Sequence, residues 1–566
     1  RRRRLSPSDH PSFPKVVISA MTAPTTSELP LFALGDRRRE LLLGGLVTAA
    51  VAGLLLALGP APGDAPAHLY RTLLVRDGTF VWDNFWYAGN FPLASYSLLY
   101  YLPAALVGNL PLVLGAAVVS TVLFASIALR EWGQAALWPS RVFGVLAAAP
   151  AFTGLYSYSL GFAAMLGTLK ALQLRRIWLA VLLAALTVGF SPLAFAFLCL
   201  VLAAVLVGRR RLSRRMLAVG AGLAAVAAVE VAALVLFPSG GGVYAFHAVD
   251  FAAVLGVTTL GALVARHARG AAPLVAFYVL WGLGSVVVFL VPSPLGDNWT
   301  RLSAFVFPLV LLTCALADFR PRRLVVLALA GAFAYNLTPY FLLIPYRLDN
   351  RPATAAFWQS ALTFLRGHSA PGFRVEVVPT AAHWESYWLP KAGFPLARGW
   401  YRQLDQVDNQ VLYSKHLDAT TYRRWLRANA VRYVVLPATP LDWDGGPQEA
   451  KIVRSPASGL QVVSRSPDAT IYELPHATPL LTGPGRATVT RFGHTAISGR
   501  VSTAGTYLLR AHYTTYWSLS GGGCVRSGPN RMTWLSFPSA GSFTLWVPRT
   551  PEGLVDAATS SSDRCE

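Results

Sequence analysis

The stretch GDAPAHLYRTLLVRDGTFVWDNFWYAGN, residues 63–90, holds Asp64, His68, Arg71, Asp77 and Asp83 among many aromatics. A carboxylate can take a proton from an attacking hydroxyl, and a guanidinium can meet the charge of an acidic leaving group. If residues 65–76 form a helix along a membrane surface, Asp64 is its natural N-cap. Positions 64, 68 and 71 then project from one side, at about 100° per residue. Leu69, Leu73 and Arg76 make a neighbouring stripe that can rest on lipid, with the arginine snorkelling. Asp64 as a cap alone is the plainer reading, and the two are compatible. Downstream, Trp82, Phe85, Trp86 and Tyr87 surround Asp83. Such aromatics read first as an interfacial belt and second as faces on which sugar rings stack.

Other constellations lie further along. PSPLGDNWTRLSAF, residues 292–305, groups Asp297, Asn298 and Arg301. Arginine suits bidentate phosphate recognition, and its plainer role is an interfacial anchor. His247 stands beside Asp250, where a lone loop histidine reads as incidental. Glu230 lies in the apolar run AAVAAVEVAALVLF; a carboxylate inside a span costs about 3 kcal/mol and usually faces a cavity or partner. It reads as a protonated or Arg-paired structural glutamate, or as part of a transport path. HWESYWLPKAGFPLARGWYRQLD, residues 383–405, is dense in polar and aromatic groups, with His383, Trp384, Glu385, Arg398 and Trp400 foremost. It could hold an acceptor glycan, or simply dock one domain on another.

The elements that must position these groups are mostly in lipid. The chain has 566 residues, 54% hydrophobic and 13% charged, against about 25% charged in soluble proteins; its mean hydropathy is +0.45. Apolar spans are expected near 41–58, 98–129 (broken at Pro111), 141–154, 159–174, 177–190, 192–207, 216–237, 250–265, 272–291, 302–317 and 324–344. That makes about eleven, unless the pair meeting at Ser191-Pro192 is a single broken element. The span 41–58 resembles a signal peptide but is read as a retained anchor, since further spans follow.

The net charge of +22 could suggest nucleic acid, but its distribution says otherwise. Arginines at 37–39, 175–176, 209–211, 214–215, 266, 269, 320 and 322–323 fall in alternate short loops, the positive-inside pattern. This places the N-terminus in the cytoplasm, and residues 59–97, 238–249, 292–301 and those after 345 outside. Of the twelve Asp and Glu before residue 346, Asp64, Asp77, Asp83, Glu230, Asp250 and Asp297 fall on the outer side. A site at the outer surface would explain that bias, although ordinary solvation suffices for Asp77. Residues 1–40 read as a disordered cytoplasmic segment with Met21 as the expected start. The arginine, alanine and glycine usage resembles a GC-rich bacterial proteome, which makes the expected location a bacterial plasma membrane.

An acidic residue just after the first span, an interfacial helix, many spans and a C-terminal outer domain resemble the GT-C superfamily of polyprenyl-phosphate-sugar-dependent glycosyltransferases. More narrowly, residues 63–89 resemble the opening of bacterial membrane proteins labelled 6-pyruvoyl-tetrahydropterin synthase-related. The pterin chemistry of that label needs a zinc-binding histidine cluster that the sequence lacks. The resemblance implies an essential carboxylate in this loop, a role passing to Asp64 first and Asp83 second. It also implies a basic residue on the donor phosphate, with Arg301, Arg71 and His68 as candidates. The residues His383, Trp384, Glu385, Arg398 and Trp400 become acceptor-binding candidates. The resemblance leaves metal dependence open: Asp64 and Asp83 could hold Mg²⁺ or Mn²⁺ with the donor phosphate, whereas many members of the superfamily do without.

After Tyr346 the composition turns soluble. A small exoplasmic α/β unit is expected over 346–450 and a β-sandwich over 451–550, followed by a disordered tail, 551–566. Cys524 and Cys565 both fall outside, where a disulfide is permitted; Cys199 and Cys314 lie in spans. The expected fold is therefore a polytopic α-helical membrane protein, GT-C-like, with a C-terminal exoplasmic α/β plus β-sandwich region. The expected activity moves a sugar, with inversion, from a polyprenyl-phosphate donor to a cell-envelope glycan or lipid acceptor. The rival classes are an envelope-lipid flippase and a non-catalytic assembly protein.

Overall fold

A computed structural model describes residues 34–59, 61–93, 97–209, 214–238, 242–268, 270–347, 349–559 and 564–565. The leader with Met21, and Arg210, Arg211 and Arg269 of the basic loops, lie outside the described residues. Among the described residues, seven helices are long and apolar enough to cross a membrane: Gly35–Leu58, Asn109–Thr153, Pro192–Arg209, Leu217–Leu236, Ala248–Ala265, Ala272–Leu290 and Gly296–Leu316. The shorter Ile177–Phe190 is also apolar. The chain is thus a multi-pass helical membrane protein. Where a helix is apolar all round it needs lipid or protein on every side. In Arg214–Leu236, Val229, Val231, Leu234 and Val235 are exposed while Glu230 is buried.

The breaks fall where backbone geometry demands. The expected span 98–129 opens with a separate helix, Tyr101–Val107, ended by Gly108 at φ 90°. The next helix runs Asn109–Trp132, so the break is at Gly108. Pro111 sits in the first turn, where its missing N–H costs little. Residues 141–154 divide into Leu137–Leu146 and Ala149–Thr153. Ser191, extended at φ −158°, separates Ile177–Phe190 from Pro192–Arg209. That junction is packed shut: a Cβ on Gly161 would lie 2.7 Å from the Ser191 side chain.

The helix expected over 65–76 forms as Ala65–Arg76, but its setting corrects the expectation. Eight of its twelve residues are buried, because it packs against Glu385–Lys391 as well as Tyr101–Val107 and Tyr156–Gln173. The face carrying His68 and Arg71 is enclosed by protein, whereas Leu69 and Leu73 stay half-buried and Arg76 exposed, as expected of the stripe toward lipid. Asp64 occupies the N-cap position with helical backbone angles, φ −90° and ψ −6°, and makes no side-chain capping bond.

The C-terminal region is rich in sheet. Its first sheet comprises β1 (Arg374–Val377), β2 (Val431–Pro437), β3 (Gln461–Arg465) and β4 (Ala469–Glu473), in the order β1-β2-β4-β3. β1 and β2 are parallel and the others antiparallel. Helices Ala355–His368, Ala419–Ala428 and Gly446–Arg454 accompany this sheet, and Asp418 caps the second through the Thr421 N–H at 2.7 Å. The α/β unit thus includes the β3–β4 hairpin, which moves the expected boundary at 450. An alternating hairpin shows its own period but not the sheet it joins.

Eight strands follow: β5 (Leu481–Thr482), β6 (Ala487–Phe492), β7 (Ala496–Val501), β8 (Gly505–His512), β9 (Ser518–Ser520), β10 (Cys524–Ser527), β11 (Met532–Phe537) and β12 (Gly541–Trp546). They form two sheets, β10-β11-β8-β5 and β6-β7-β12-β9. Leu509, Leu535, Ile497 and Leu545 are fully buried between them, with the inward-outward alternation of a sandwich. The tail expected to be disordered instead holds a helix, Pro551–Thr559. Cys565 reaches back to form a disulfide with Cys524.

Candidate functional site

Charged groups from three separate parts of the chain lie within electrostatic reach of the Tyr244 hydroxyl. Burial raises this phenol above its ordinary pKa, Asp297 and Asp64 raise it further, and Arg301 and Arg402 oppose them. Two backbone approaches build the junction. The Tyr244 N–H donates to the Ser293 carbonyl at 3.0 Å, and the Asp297 N–H to the Ala245 carbonyl at 3.1 Å, so the two loops pair. Gly296, at φ +40°, passes so close that a Cβ would stand 2.0 Å from the Tyr244 oxygen, which only glycine tolerates. On the other side, a Cβ on Gly242 would lie 2.3 Å from the Gln403 carbonyl. The segment carrying Arg402 is therefore docked on the same loop. Asp442 grips Arg402 with both oxygens, at 2.6 and 2.8 Å.

Asp64 stands at this junction half-exposed. Gly154, at φ +81°, backs onto it; a Cβ there would lie 3.0 Å from the Asp64 nitrogen. A carboxylate held in place by its backbone and left open at its head can serve as a base. His247 sits beside Asp297, with Nδ1 2.5 Å from Oδ2, and that contact raises its pKa.

The other residues expected on the same helix face point into protein. His68 is 2% exposed, with Nδ1 3.0 Å from the Tyr101 hydroxyl and its ring stacked 5.3 Å from Tyr156. Burial, reinforced by Arg71 and Arg301, holds its pKa at about 3, so the imidazole is neutral. Arg71 donates to the Tyr101 hydroxyl at 3.2 Å and to the carbonyls of Leu93 at 3.2 Å and Ser97 at 3.4 Å. Its guanidinium fastens the opening loop. His68 and Arg71, expected on the donor phosphate beside Arg301, are thus engaged within the protein, and Arg402, which the sequence reading missed, lies on the same junction paired with Asp442.

Asp83 is not brought to Asp64's junction. It is 1% exposed and accepts from the Tyr70 hydroxyl at 2.9 Å and the Phe85 N–H at 3.2 Å, with His494 Nδ1 at 2.8 Å. A carboxylate so enclosed holds the opening loop to the sandwich. Its oxygens are taken, so Asp64 and Asp83 do not fit a shared Mg²⁺ or Mn²⁺. The surrounding aromatics are also corrected. Trp82, Phe85, Trp86 and Tyr87 are at most 4% exposed, buried against the C-terminal region and not facing lipid. The Trp86 indole donates to the Ser386 carbonyl at 3.1 Å, and Trp82 meets Trp517 edge-on at 5.4 Å.

Of the residues expected to hold an acceptor, His383, Glu385, Arg398 and Trp400 line one cavity together with Glu376 and Asp405; Trp384 is not among its lining residues. The set is largely self-satisfied. Arg398 donates to Glu376 at 2.9 Å and Glu449 at 2.7 Å, and Glu385 accepts from Thr380 at 2.6 Å. The Trp400 ring stacks on His383 at 3.3 Å and carries the Arg402 guanidinium at 5.3 Å. A sugar could stack there only by displacing one of them. Glu230 is 7% exposed with Oε2 unpartnered among the described residues, so an arginine pairing is not found there.

Tyr244 and His494 also escaped the sequence reading. The triple glycine before Tyr244 was the available signal of a close backbone approach, whereas nothing local marks His494. No protein-family model matches the chain, and no curated protein matches it at significant similarity.

Proposed function

We propose that the chain is a GT-C-like membrane glycosyltransferase, moving a sugar from a polyprenyl-phosphate donor to a cell-envelope glycan or lipid at the outer face of a bacterial plasma membrane. The observation that supports this reading is that Asp64, Arg301 and Arg402 all lie within electrostatic reach of Tyr244, whose loop the close passes of Gly242 and Gly296 hold against theirs. One half-exposed carboxylate stands with two guanidiniums beside the segment that seats the C-terminal region. In the proposed reaction Asp64 takes the proton of the acceptor hydroxyl as its oxygen bonds to the anomeric carbon. The bond from that carbon to the phosphate oxygen breaks, and the phosphate leaves with the electron pair. Arg301 meets its charge, and Arg402 joins it by exchanging one of its two Asp442 contacts for a phosphate oxygen. Displacement in one step inverts the anomeric carbon.

Eleven crossings follow if Asn109–Thr153 is counted as two and Tyr156–Gln173, Ile177–Phe190 and Arg322–Arg347 are added to the seven. An odd number puts the N-terminus in the cytoplasm when the C-terminal region is outside, as the arginine distribution requires. The test is transfer of labelled sugar from a polyprenyl-phosphate donor by full-length protein in vesicles. Asp64→Asn should abolish transfer but keep donor binding, and Arg301→Ala should weaken both. Full transfer by Asp64→Asn would refute the assignment.

A further inference from the structure

Beside the Tyr244 junction, His247, Asp250 and Asp297 each place a ligating atom within 4.8 Å of the others, and among the described residues they are the only such group of three. Ligands of one ion bound at about 2.1 Å lie about 3.4 Å apart in a tetrahedral shell, so a contraction of at most about 1.4 Å, within reach of side-chain rotation at these positions, closes the set. His247 is exposed, and Asp250 and Asp297 are half-buried, leaving a path for an ion from outside. Asp297 is already oriented, because the His247 N–H donates to its Oδ1 at 2.9 Å.

A second observation comes from the membrane helix facing the trio. Tyr335 is 8% exposed and its hydroxyl makes no well-formed hydrogen bond. It lies beside Thr300, and the charges of both Asp250 and Asp297 reach it. This buried donor sits in the field of the two carboxylates, where it could orient an ion-bound water, as outer-shell groups do.

We propose that His247, Asp250 and Asp297 form a divalent-cation site at the outer end of helix Ala248–Ala265, suited to Mn²⁺ or Zn²⁺. One imidazole with two carboxylates favours these over Mg²⁺ and Ca²⁺, which prefer all-oxygen shells. Two carboxylates and a neutral imidazole balance the charge of one divalent ion. The site is separate from the proposed Asp64 base and does not depend on sugar transfer.

The test is Mn²⁺ binding to the full-length, chelator-stripped protein in nanodiscs, followed by electron paramagnetic resonance without any sugar donor. Wild type should bind one ion per chain, with nitrogen modulation from an imidazole in the pulsed spectrum. His247→Gln, at an exposed position that does not endanger folding, should remove that modulation. Asp250→Asn should weaken binding about tenfold or more. Failure of wild type to bind one ion, or variants that match wild type in affinity and nitrogen signal, would overturn the site. Sugar transfer is absent from this assay, so the site and the transferase reading can fail separately.

Discussion

His494 in the sandwich meets Asp83 in the opening loop across 411 residues of chain, with Nδ1 2.8 Å from Oδ1. The same loop is held by the Asn84 N–H on the His494 carbonyl at 2.8 Å and by the His512 N–H on the Ala88 carbonyl at 2.6 Å. These contacts fasten the outermost domain to the loop beside Asp64, and so fix what can cover the site.

Asp83 is therefore expected to serve stability. Asp83→Ala strands the Tyr70 hydroxyl and the His494 imidazole in a buried setting and should cost about 3 kcal/mol. A lowered melting temperature and earlier proteolysis of the C-terminal region in detergent would show it. Asp64→Asn, at a half-exposed position, should leave melting unchanged. Equal melting of Asp83→Ala and wild type would contradict the clamp.

Two buried histidines set the acid limit. Burial lowers the pKa of His68 to about 3 and that of His512 to about 4, against 6.5 when free. Each folded pKa is depressed, so below pH 6.5 the unfolded chain takes up protons that the folded one refuses. The stability these sites contribute is complete above about pH 6.5 and is lost as pH falls toward 4. Melting temperature followed from pH 7 to pH 4 should fall steadily, and His512→Gln should flatten the fall. An unchanged slope in that variant would remove His512 from the account.

The backbone approach at the site is testable with a single methyl group. Gly296→Ala puts a Cβ 2.0 Å from the Tyr244 oxygen at a positive φ and should displace Asp297 and Arg301. Donor-lipid binding should drop about tenfold or more. Gly372→Ala, with nothing within 4 Å of its Cβ, is the control and should behave as wild type. Normal donor binding by Gly296→Ala would mean that the loop pairing does not position the arginine.

Thiol counting tests the orientation. Cys524 and Cys565 are bonded, while Cys199 and Cys314 are free. Denatured, unreduced protein from intact cells should titrate two thiols, rising to four after reduction. A disulfide of this kind persists in an oxidising compartment, so four thiols without reductant would argue against an outside C-terminal region.

The legible part of this fold is what lipid dictates. Long apolar runs between arginine-bearing loops must be helices, since no other segment satisfies its backbone alone in a bilayer. Asp64, Asp297 and Arg301 could be picked out because charged groups beside apolar runs need a reason to be there. Tyr244 could not, because its importance comes from the close passes of Gly242 and Gly296, and a sequence does not show which backbone approaches which. Asp83 read as a catalytic candidate because its partner His494 is remote in the chain. The β3–β4 hairpin went to the wrong domain because strand alternation is blind to pairing partner. Trp82 and Trp86 read as a lipid belt, since apolar contact with lipid and with a docked domain select the same residues.

The most direct measurement is a structure of the full chain with a non-cleavable polyprenyl-phosphonate sugar bound in a lipid nanodisc. The phosphonate should lie against Arg301 and Arg402, with the anomeric carbon turned toward Asp64. A head group seated elsewhere, or on the face that carries the arginine-rich loops, would contradict sugar transfer at this site.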